Sequence, residues 1–323
     1  MTEKTNYYDA INWNELPDEV DKLAWEKLTS QFWLDTRIPI SNDLDDWAAL
    51  SPQEKELVQR VFGGLTLLDT MQSESGIEHI RKDIRTPQEE AVLNNIQFME
   101  SVHAKSYSSI FSTLNTMKEI EEIFEWTNNN EFLQKKAKLI NEVYLYGDGL
   151  QKKVASVFLE SFLFYSGFYT PLYYLGNNKL PNVAEVIKLI IRDEFVHGTY
   201  IGYKFQLSYQ EQSEEEQERL KMWTYNYLYE LYENEVQYAH QLYDGMGWTE
   251  DVIKYMNYNA NVALKNLGFD PLFLETEEDV NPIIMNGIST STNNHDFFSQ
   301  VGNGYLMGEV EPMSEDDYHL FDE

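Results

Sequence analysis

Two Glu-x-x-His units, Glu100-Ser101-Val102-His103 and Glu194-Phe195-Val196-His197, constrain this chain more than any other feature of it. An α-helix turns once every 3.6 residues, so each unit sets a carboxylate and an imidazole on one helical face. With six histidines in 323 residues, chance supplies about half of one such unit. Two of them, both in apolar surroundings, call for helices that carry ionisable groups into a protein interior.

Two further acids sit in comparable settings. Glu160 lies within Val157-Phe158-Leu159-Glu160-Ser161-Phe162-Leu163-Phe164, and Asp69 within Gly64-Leu65-Thr66-Leu67-Leu68-Asp69. Burying a bare carboxylate is costly, and neither acid has a Lys or Arg in its immediate vicinity. Four carboxylates and two neutral imidazoles balance two divalent cations. Two Glu-x-x-His helices joined by one carboxylate from each of two other helices form the cage of a ferritin-like dinuclear metal site. The expected fold is therefore all-α, a ferritin-like helical bundle with a dinuclear metal site in its core. Mixed oxygen and nitrogen ligands suit manganese or iron better than structural zinc. Tyr107 shares the face of Glu100 and His103, at i, i+3 and i+7.

Composition excludes other chemistries. The chain has no cysteine, which rules out disulfides, thiolate metal sites and cysteine nucleophiles within it. A formal net charge of −31 argues against nucleic acid, whose phosphates require Lys and Arg patches. No Gly-rich phosphate loop of the expected kind is present. The most membrane-like stretch, from Val154 to Leu175, carries Glu160, several Ser and Tyr residues and Pro171, and reads as a buried core helix. The polar opening Met1-Thr2-Glu3-Lys4-Thr5-Asn6-Tyr7-Tyr8 contains no secretory signal, so a cytoplasmic location is expected.

Helix signals run along most of the chain. Ser51-Pro52-Gln53-Glu54 and Thr86-Pro87-Gln88-Glu89 both read as capping boxes with Pro at the first helical position. The first opens the helix of Asp69 and the second that of Glu100, His103 and Tyr107. Further helices are expected from about Leu150 to Leu175, Val183 to Leu207, Ser213 to Tyr243 and Glu250 to Leu267, the last closed by Gly268. Beyond Pro271, prolines and glycines break the periodicity and the chain ends in acidic and aromatic residues. The expected organisation is a helical di-metal domain over 1–285 and a flexible acidic, aromatic tail over 286–323.

Four segments carry a resemblance to a known family. They are Gly63-Gly64-Leu65-Thr66-Leu67-Leu68-Asp69-Thr70-Met71-Gln72, Met99-Glu100-Ser101-Val102-His103-Ala104-Lys105-Ser106-Tyr107, Arg192-Asp193-Glu194 and Tyr258-Asn259-Ala260-Asn261. With these, the chain resembles the small, radical-generating (β) subunit of class Ib ribonucleotide reductase over nearly its whole length. That resemblance implies that Asp69, Glu100 and His103 bind the metal nearer the tyrosine. It assigns Glu160, Glu194 and His197 to the second metal, with Glu100 and Glu194 able to bridge. It implies a dinuclear manganese or iron cofactor and a stable tyrosyl radical on Tyr107.

The resemblance also implies a route outward. Asp193 matches the family acid that links ligand His103 to a tryptophan, here Trp33, and Tyr318 matches a mobile tyrosine that relays the radical. The implied partners are a second copy of the chain in a homodimer, a catalytic α subunit that reduces ribonucleoside diphosphates, and a flavodoxin-like activator. Ser161, Tyr165 and Asn266 match positions lining a channel for the activator's oxidant. Ile96, Phe98, Ile110 and Phe111 are candidates to shield Tyr107 from water. His79, His240, His295 and His319 lack the Glu-x-x-His context and read as surface or tail residues. One departure is Phe195, where the family commonly has a small residue. Every ligand position is nevertheless filled, unlike in the metal-free branch of the family. The alternatives are a ferritin-like di-metal oxidase or desaturase and an iron-storage protein; neither needs Tyr107, the Asp193–Trp33 pair or the tail.

Overall fold

The computed structural model describes residues 10–289; positions 1–9 and 290–323, among them Tyr318, His295 and His319, lie outside the described residues. Helices α1 (Glu19–Ser30) and α2 (Leu44–Ala49) lead into α3 (Pro52–Met71), which carries Asp69 near its end. After a π-helical turn over Gln72–Gly76 come α4 (Ile77–Ile80), α5 (Pro87–Leu114), α6 (Met117–Asn129) and α7 (Glu131–Tyr146). Next are α8 (Gly149–Phe158), a second π-helical turn over Leu159–Leu163, and α9 (Tyr165–Gly176). The chain continues through α10 (Pro181–Gln210), α11 (Glu214–Tyr243), α12 (Thr249–Asn266) and α13 (Pro282–Ser289). No strand occurs among the described residues. None of their helices is long and apolar enough to cross a membrane.

The helix starts show how local chemistry and packing share control. At α3 the capping box forms as expected: Ser51 Oγ accepts from Glu54 N at 3.3 Å, and Glu54 Oε2 accepts from Ser51 N at 2.8 Å. At α5 only half of it forms. Thr86 Oγ1 accepts from Glu89 N at 2.8 Å, but the Glu89 carboxylate takes the Arg85 N–H, also at 2.8 Å, while the Thr86 hydroxyl donates to buried Asp21. The reciprocal bond thus shifts one residue back along the chain, and the capping hydroxyl also ties α5 to α1. The helix expected from Leu150 to Leu175 is divided by the π-helical turn that contains Glu160. Gly268 closes α12 at φ 79°, the left-handed conformation glycine adopts without penalty. Helix α13 runs through position 285, where the sequence sets the end of the helical domain, and packs on α9.

The elements that carry the expected site are packed on one another. α3 lies along α5, α8 and α9 lie along α10, and α12 covers the π-helical turn between α8 and α9. The pair Gly63-Gly64 allows α3 its close approach to its other neighbours. A Cβ on Gly63 would collide with Thr127 Oγ1 of α6, and one on Gly64 would stand 2.5 Å from Tyr238 Oη of α11. Leu65, Leu68, Val92, Ile96, Phe158 and Ile190 bury the apolar flanks of these helices. Desolvation of that surface supplies the stabilisation against which the buried acids must be accommodated.

Candidate metal centre

The six expected ligands meet in the core as two overlapping groups. Asp69, Glu100, His103 and Glu194 form one, and Glu100, Glu160, Glu194 and His197 form the other, each with its ligand atoms within 4.8 Å of one another. Glu100 and Glu194 belong to both, which is the position a bridging carboxylate takes. All six side chains are fully buried. The two imidazoles turn Nδ1 into the cluster. His103 Nδ1 lies 2.9 Å from Glu194 Oε1 and 3.6 Å from Glu100 Oε2; His197 Nδ1 lies 2.8 Å from Glu100 Oε1 and 3.4 Å from Glu194 Oε2.

The electrostatics of this cluster call for cations. Burial, followed by the charges of Glu100 and Glu194, pushes the carboxyls of Asp69 and Glu160 well above their ordinary range. Burial lowers the affinity of His103 for a proton, but the Glu194 charge and the hydrogen bonds to Asp193 and Glu100 overcome it and raise its pKa well above normal. His197 is raised in the same way by Glu100, Glu160 and Glu194 against burial. Glu194 goes the other way: burial raises it, but hydrogen bonds from Glu160 and the two imidazoles lower it overall. These contacts are close but poorly aligned: both oxygens of Asp69, Glu100 and Glu194, Glu160 Oε2, and Nδ1 of both histidines make no well-formed hydrogen bond. No lysine or arginine pairs with these acids among the described residues. Orphaned buried oxygens and nitrogens, converging in two groups, fit a pair of divalent cations of the manganese or iron kind.

Around the cluster the structure brings together most of the expected neighbours. Trp33 Nε1 donates to Asp193 Oδ2 at 2.7 Å, and the same oxygen lies 3.2 Å from His103 Nε2. The Trp33 and His103 rings stack with centroids 5.9 Å apart. Asp193 therefore holds the imidazole so that Nδ1 faces the cluster, the usual role of an acid behind a histidine ligand. Gln31 was not foreseen: its Nε2 donates to Asp193 Oδ1 at 2.7 Å and satisfies the second oxygen. Its place two residues before Trp33 is the one sequence signal that could have marked it.

Tyr107 is fully buried, and its ring packs 5.7 Å from that of Phe62. Its hydroxyl makes no well-formed hydrogen bond; the group it faces is the Asp69 carboxylate. Burial, then the charges of Asp69, Glu194 and Glu100, raises the phenol far above its usual pKa, so it stays protonated at neutral pH. Ile96, Ile110 and Phe111 are buried as expected, but Phe98 is not a shield: half of it is exposed, and it stacks on Phe32. The reason is helical phase, since nine residues at ~100° each set position 98 about 180° from Tyr107. Ser161 and Asn266 do meet, Asn266 Nδ2 donating to Ser161 Oγ at 3.1 Å, and Tyr165 is buried. His79 is half-buried with Nδ1 2.7 Å from Ser75 O, and exposed His240 pairs with Asp244. Phe195 is half-buried.

A second unforeseen group lies at Glu160. Gln72 Nε2 donates to Glu160 Oε1 and, at 2.8 Å, to Ser156 Oγ, while the hydroxyl of Tyr144 donates to Gln72 Oε1 at 2.6 Å. Both Gln72 and Glu160 sit in the π-helical turns, which are frequent at functional sites. Nothing in the local sequence announces either turn.

Fold and site together define a helical-bundle protein with a buried carboxylate–histidine dinuclear centre. The comparisons identify which. Residues 10–282 match the ribonucleotide reductase small chain family, and the chain belongs to that family. It is 53% identical over 310 residues to the ribonucleoside-diphosphate reductase subunit beta of Mycobacterium leprae, covering 96% of this chain and 95% of that one. It is 49% identical to the ribonucleoside-diphosphate reductase 2 subunit beta of Escherichia coli, over 98% of this chain and all of the other. The crystal structure of dimanganese(II)-NrdF from Streptococcus sanguinis superposes with a TM-score of 0.87 at 72% identity, covering 88% of this chain and 100% of that one.

Proposed function

We propose that this chain is the β subunit of a class Ib ribonucleoside-diphosphate reductase, which stores a tyrosyl radical on Tyr107 for use by a catalytic α subunit. The observation that carries the reading is the pair of ligand groups sharing Glu100 and Glu194, with the Tyr107 hydroxyl against Asp69 at one end. Asp69, Glu100, His103 and Glu194 would hold one metal, and Glu100, Glu160, Glu194 and His197 the other. The dinuclear manganese or iron centre, once loaded, supplies the potential that removes an electron from a phenol.

The residues of the chain do the rest. Tyr107 gives up its electron together with its hydroxyl proton, which the facing Asp69 carboxylate can receive. The apolar walls keep water and reductants from the phenoxyl. Asp193 orients His103 and connects it to Trp33, the first step of the route toward the α subunit. Reduction of ribonucleoside diphosphates to deoxyribonucleoside diphosphates takes place on that subunit, consistent with a β chain that has no cysteine. Tyr318 would relay the radical across the interface, and 286–323 would dock on the α subunit; all of this segment except 286–289 lies outside the described residues. A homodimer, a flavodoxin-like activator delivering oxidant past Ser161, Tyr165 and Asn266, and a cytoplasmic location complete the proposal.

An oxidase or storage protein on the same bundle would need neither the Trp33–Asp193–His103 connection nor a phenol beside a ligand. The test is electron paramagnetic resonance on wild type and Tyr107→Phe, loaded in parallel with Mn(II) plus the activator and with Fe(II) plus oxygen. The expected result is two metals in both proteins, with a tyrosyl signal and reductase activity in wild type alone. Full activity of Tyr107→Phe with the α subunit would overturn the assignment.

A further inference from the structure

Two fully buried tyrosines lie near the ligand cluster, Tyr107 against a ligand and Tyr144 one residue removed from one, and their hydroxyls meet different chemistry. Tyr107 faces the Asp69 carboxylate, whereas the hydroxyl of Tyr144 on α7 donates to the amide oxygen of Gln72 at 2.6 Å. The Ser156 hydroxyl, which accepts from Gln72, is a further polar neighbour of the Tyr144 hydroxyl. Gln72 is tied down at its other end, its Nε2 donating to Glu160 Oε1 and to Ser156 Oγ. A carboxylate that holds a metal is ionised and only accepts, so in the loaded protein the amide nitrogen faces Glu160 and the amide oxygen faces Tyr144, as it does here. A glycine makes room for this side chain. Gly76 closes the π-helical turn that begins at Gln72, and a Cβ there would collide with Gln72 Oε1 and stand 2.9 Å from Tyr144 Cε2.

We propose that Gln72 is a positioning residue that decides which tyrosine is oxidised: its amide fixes Glu160 and leaves Tyr144 without a proton acceptor, so the radical forms on Tyr107. The inference rests on the assignment of the radical to Tyr107. Conversion of a phenol to a neutral phenoxyl releases one electron and one proton. The loaded dinuclear centre would supply the electron acceptor, and the proton must pass to a base. At Tyr107 the O–H bond breaks and the proton goes to Asp69. At Tyr144 the hydrogen-bonded neighbours are an amide oxygen and an alcohol, both too weakly basic to take it. Loss of the electron alone would leave a cation in a dry interior, which costs far more than formation of a neutral radical. Two phenols near one oxidant are thereby separated by the nature of a single acceptor atom.

The experiment replaces the amide by a base in the Tyr107→Phe background and reads freeze-quenched paramagnetic resonance spectra, with metal content measured on every sample. Tyr107→Phe alone is expected to hold two metals and give no tyrosyl signal. Tyr107→Phe/Gln72→Glu is expected to give a new tyrosyl signal that disappears when Tyr144→Phe is added. Gln72→His makes the same test without adding a negative charge beside Glu160. A metal-loaded Glu or His variant with no radical overturns the proposal. So does a signal of new hyperfine pattern in Tyr107→Phe that Tyr144→Phe removes, and this arm decides alone if neither replacement of Gln72 holds two metals. If the wild-type spectrum persists unchanged in Tyr107→Phe/Tyr144→Phe, it is the assignment to Tyr107 that fails.

Discussion

Two buried clusters of charge in this protein are closed in different ways. Lys136 on α7 and Glu235 on α11 are fully buried, with Nζ 2.6 Å from Oε2. Ser166 donates to the other Glu235 oxygen, and the ammonium lies 4.2 Å above the Tyr238 ring. Burial lowers the pKa of Lys136, but its charge is answered by an acid of the same chain. In the cluster of Asp69, Glu100, Glu160 and Glu194 the acids answer one another, and their oxygens are left over. Buried charge by itself therefore does not mark a functional site. What marks one here is a group of buried acids and imidazoles that no lysine or arginine among the described residues answers, with ligand atoms lacking well-formed partners in a geometry that two cations complete.

That contrast can be tested from both sides. The largest effect is expected from Glu194→Ala, which removes an acid common to both ligand groups. Metal affinity should fall by more than ~100-fold, since loss of a mere hydrogen-bonding partner of a ligand already costs roughly 10–100-fold. Two tightly bound metals in this variant, by elemental analysis, would show that Glu194 is not shared. Lys136→Met should act on stability and not on metal content. It strands Glu235 in the core and should cost about 3–5 kcal/mol in denaturant unfolding, much of it regained in Lys136→Met/Glu235→Leu. Loss of metal in Lys136→Met with an unchanged unfolding midpoint would erase the distinction.

The pH dependence of the metal-free protein gives a smaller, signed prediction. Asp69 and Glu160 have raised folded-state pKa values, so their contribution to stability is complete below about pH 4 and declines as pH rises. His103 and His197 are also raised, so theirs is complete below about pH 6.5 and declines above it. Glu194 is lowered, and its contribution is lost only when pH falls below about 4.5. From about pH 5.5 to about pH 8 the metal-free protein should therefore lose thermal stability, and metal loading should flatten the slope. A rising slope without metal would mean that these groups do not control it. The smallest effect, about 1 kcal/mol, is expected for Ser51→Ala, which breaks the α3 capping box without touching either cluster.

The sequence was most informative where function depends on local repetition. Glu100, His103 and Tyr107 share a face because helical phase says so, and Glu194 with His197 likewise. Acids at positions 69 and 160 stood out because their neighbours are apolar. The same phase, applied to position 98, turns Phe98 away from Tyr107 and toward solvent. Helices α1, α6 and α7 carry no Glu-x-x-His unit and no Pro at the first helical position, although α6 does open on a capping box of Thr116 and Glu119.

Contacts between distant positions followed other rules. Thr86 donates to Asp21 while it caps α5, Gln31 completes the partners of Asp193, and Tyr144 meets Gln72 across 72 positions. The sequence by itself determined a helical bundle, its two Glu-x-x-His helices and the set of six metal-binding candidates, because side-chain periodicity and the cost of burying charge are local quantities. The tertiary structure alone decided which way the Gln72 amide points, that Tyr144 meets that amide, and that Gln31 completes the partners of Asp193. Those depend on how helices from different parts of the chain are turned against one another, and no single helix's pattern encodes the rotation of its neighbour.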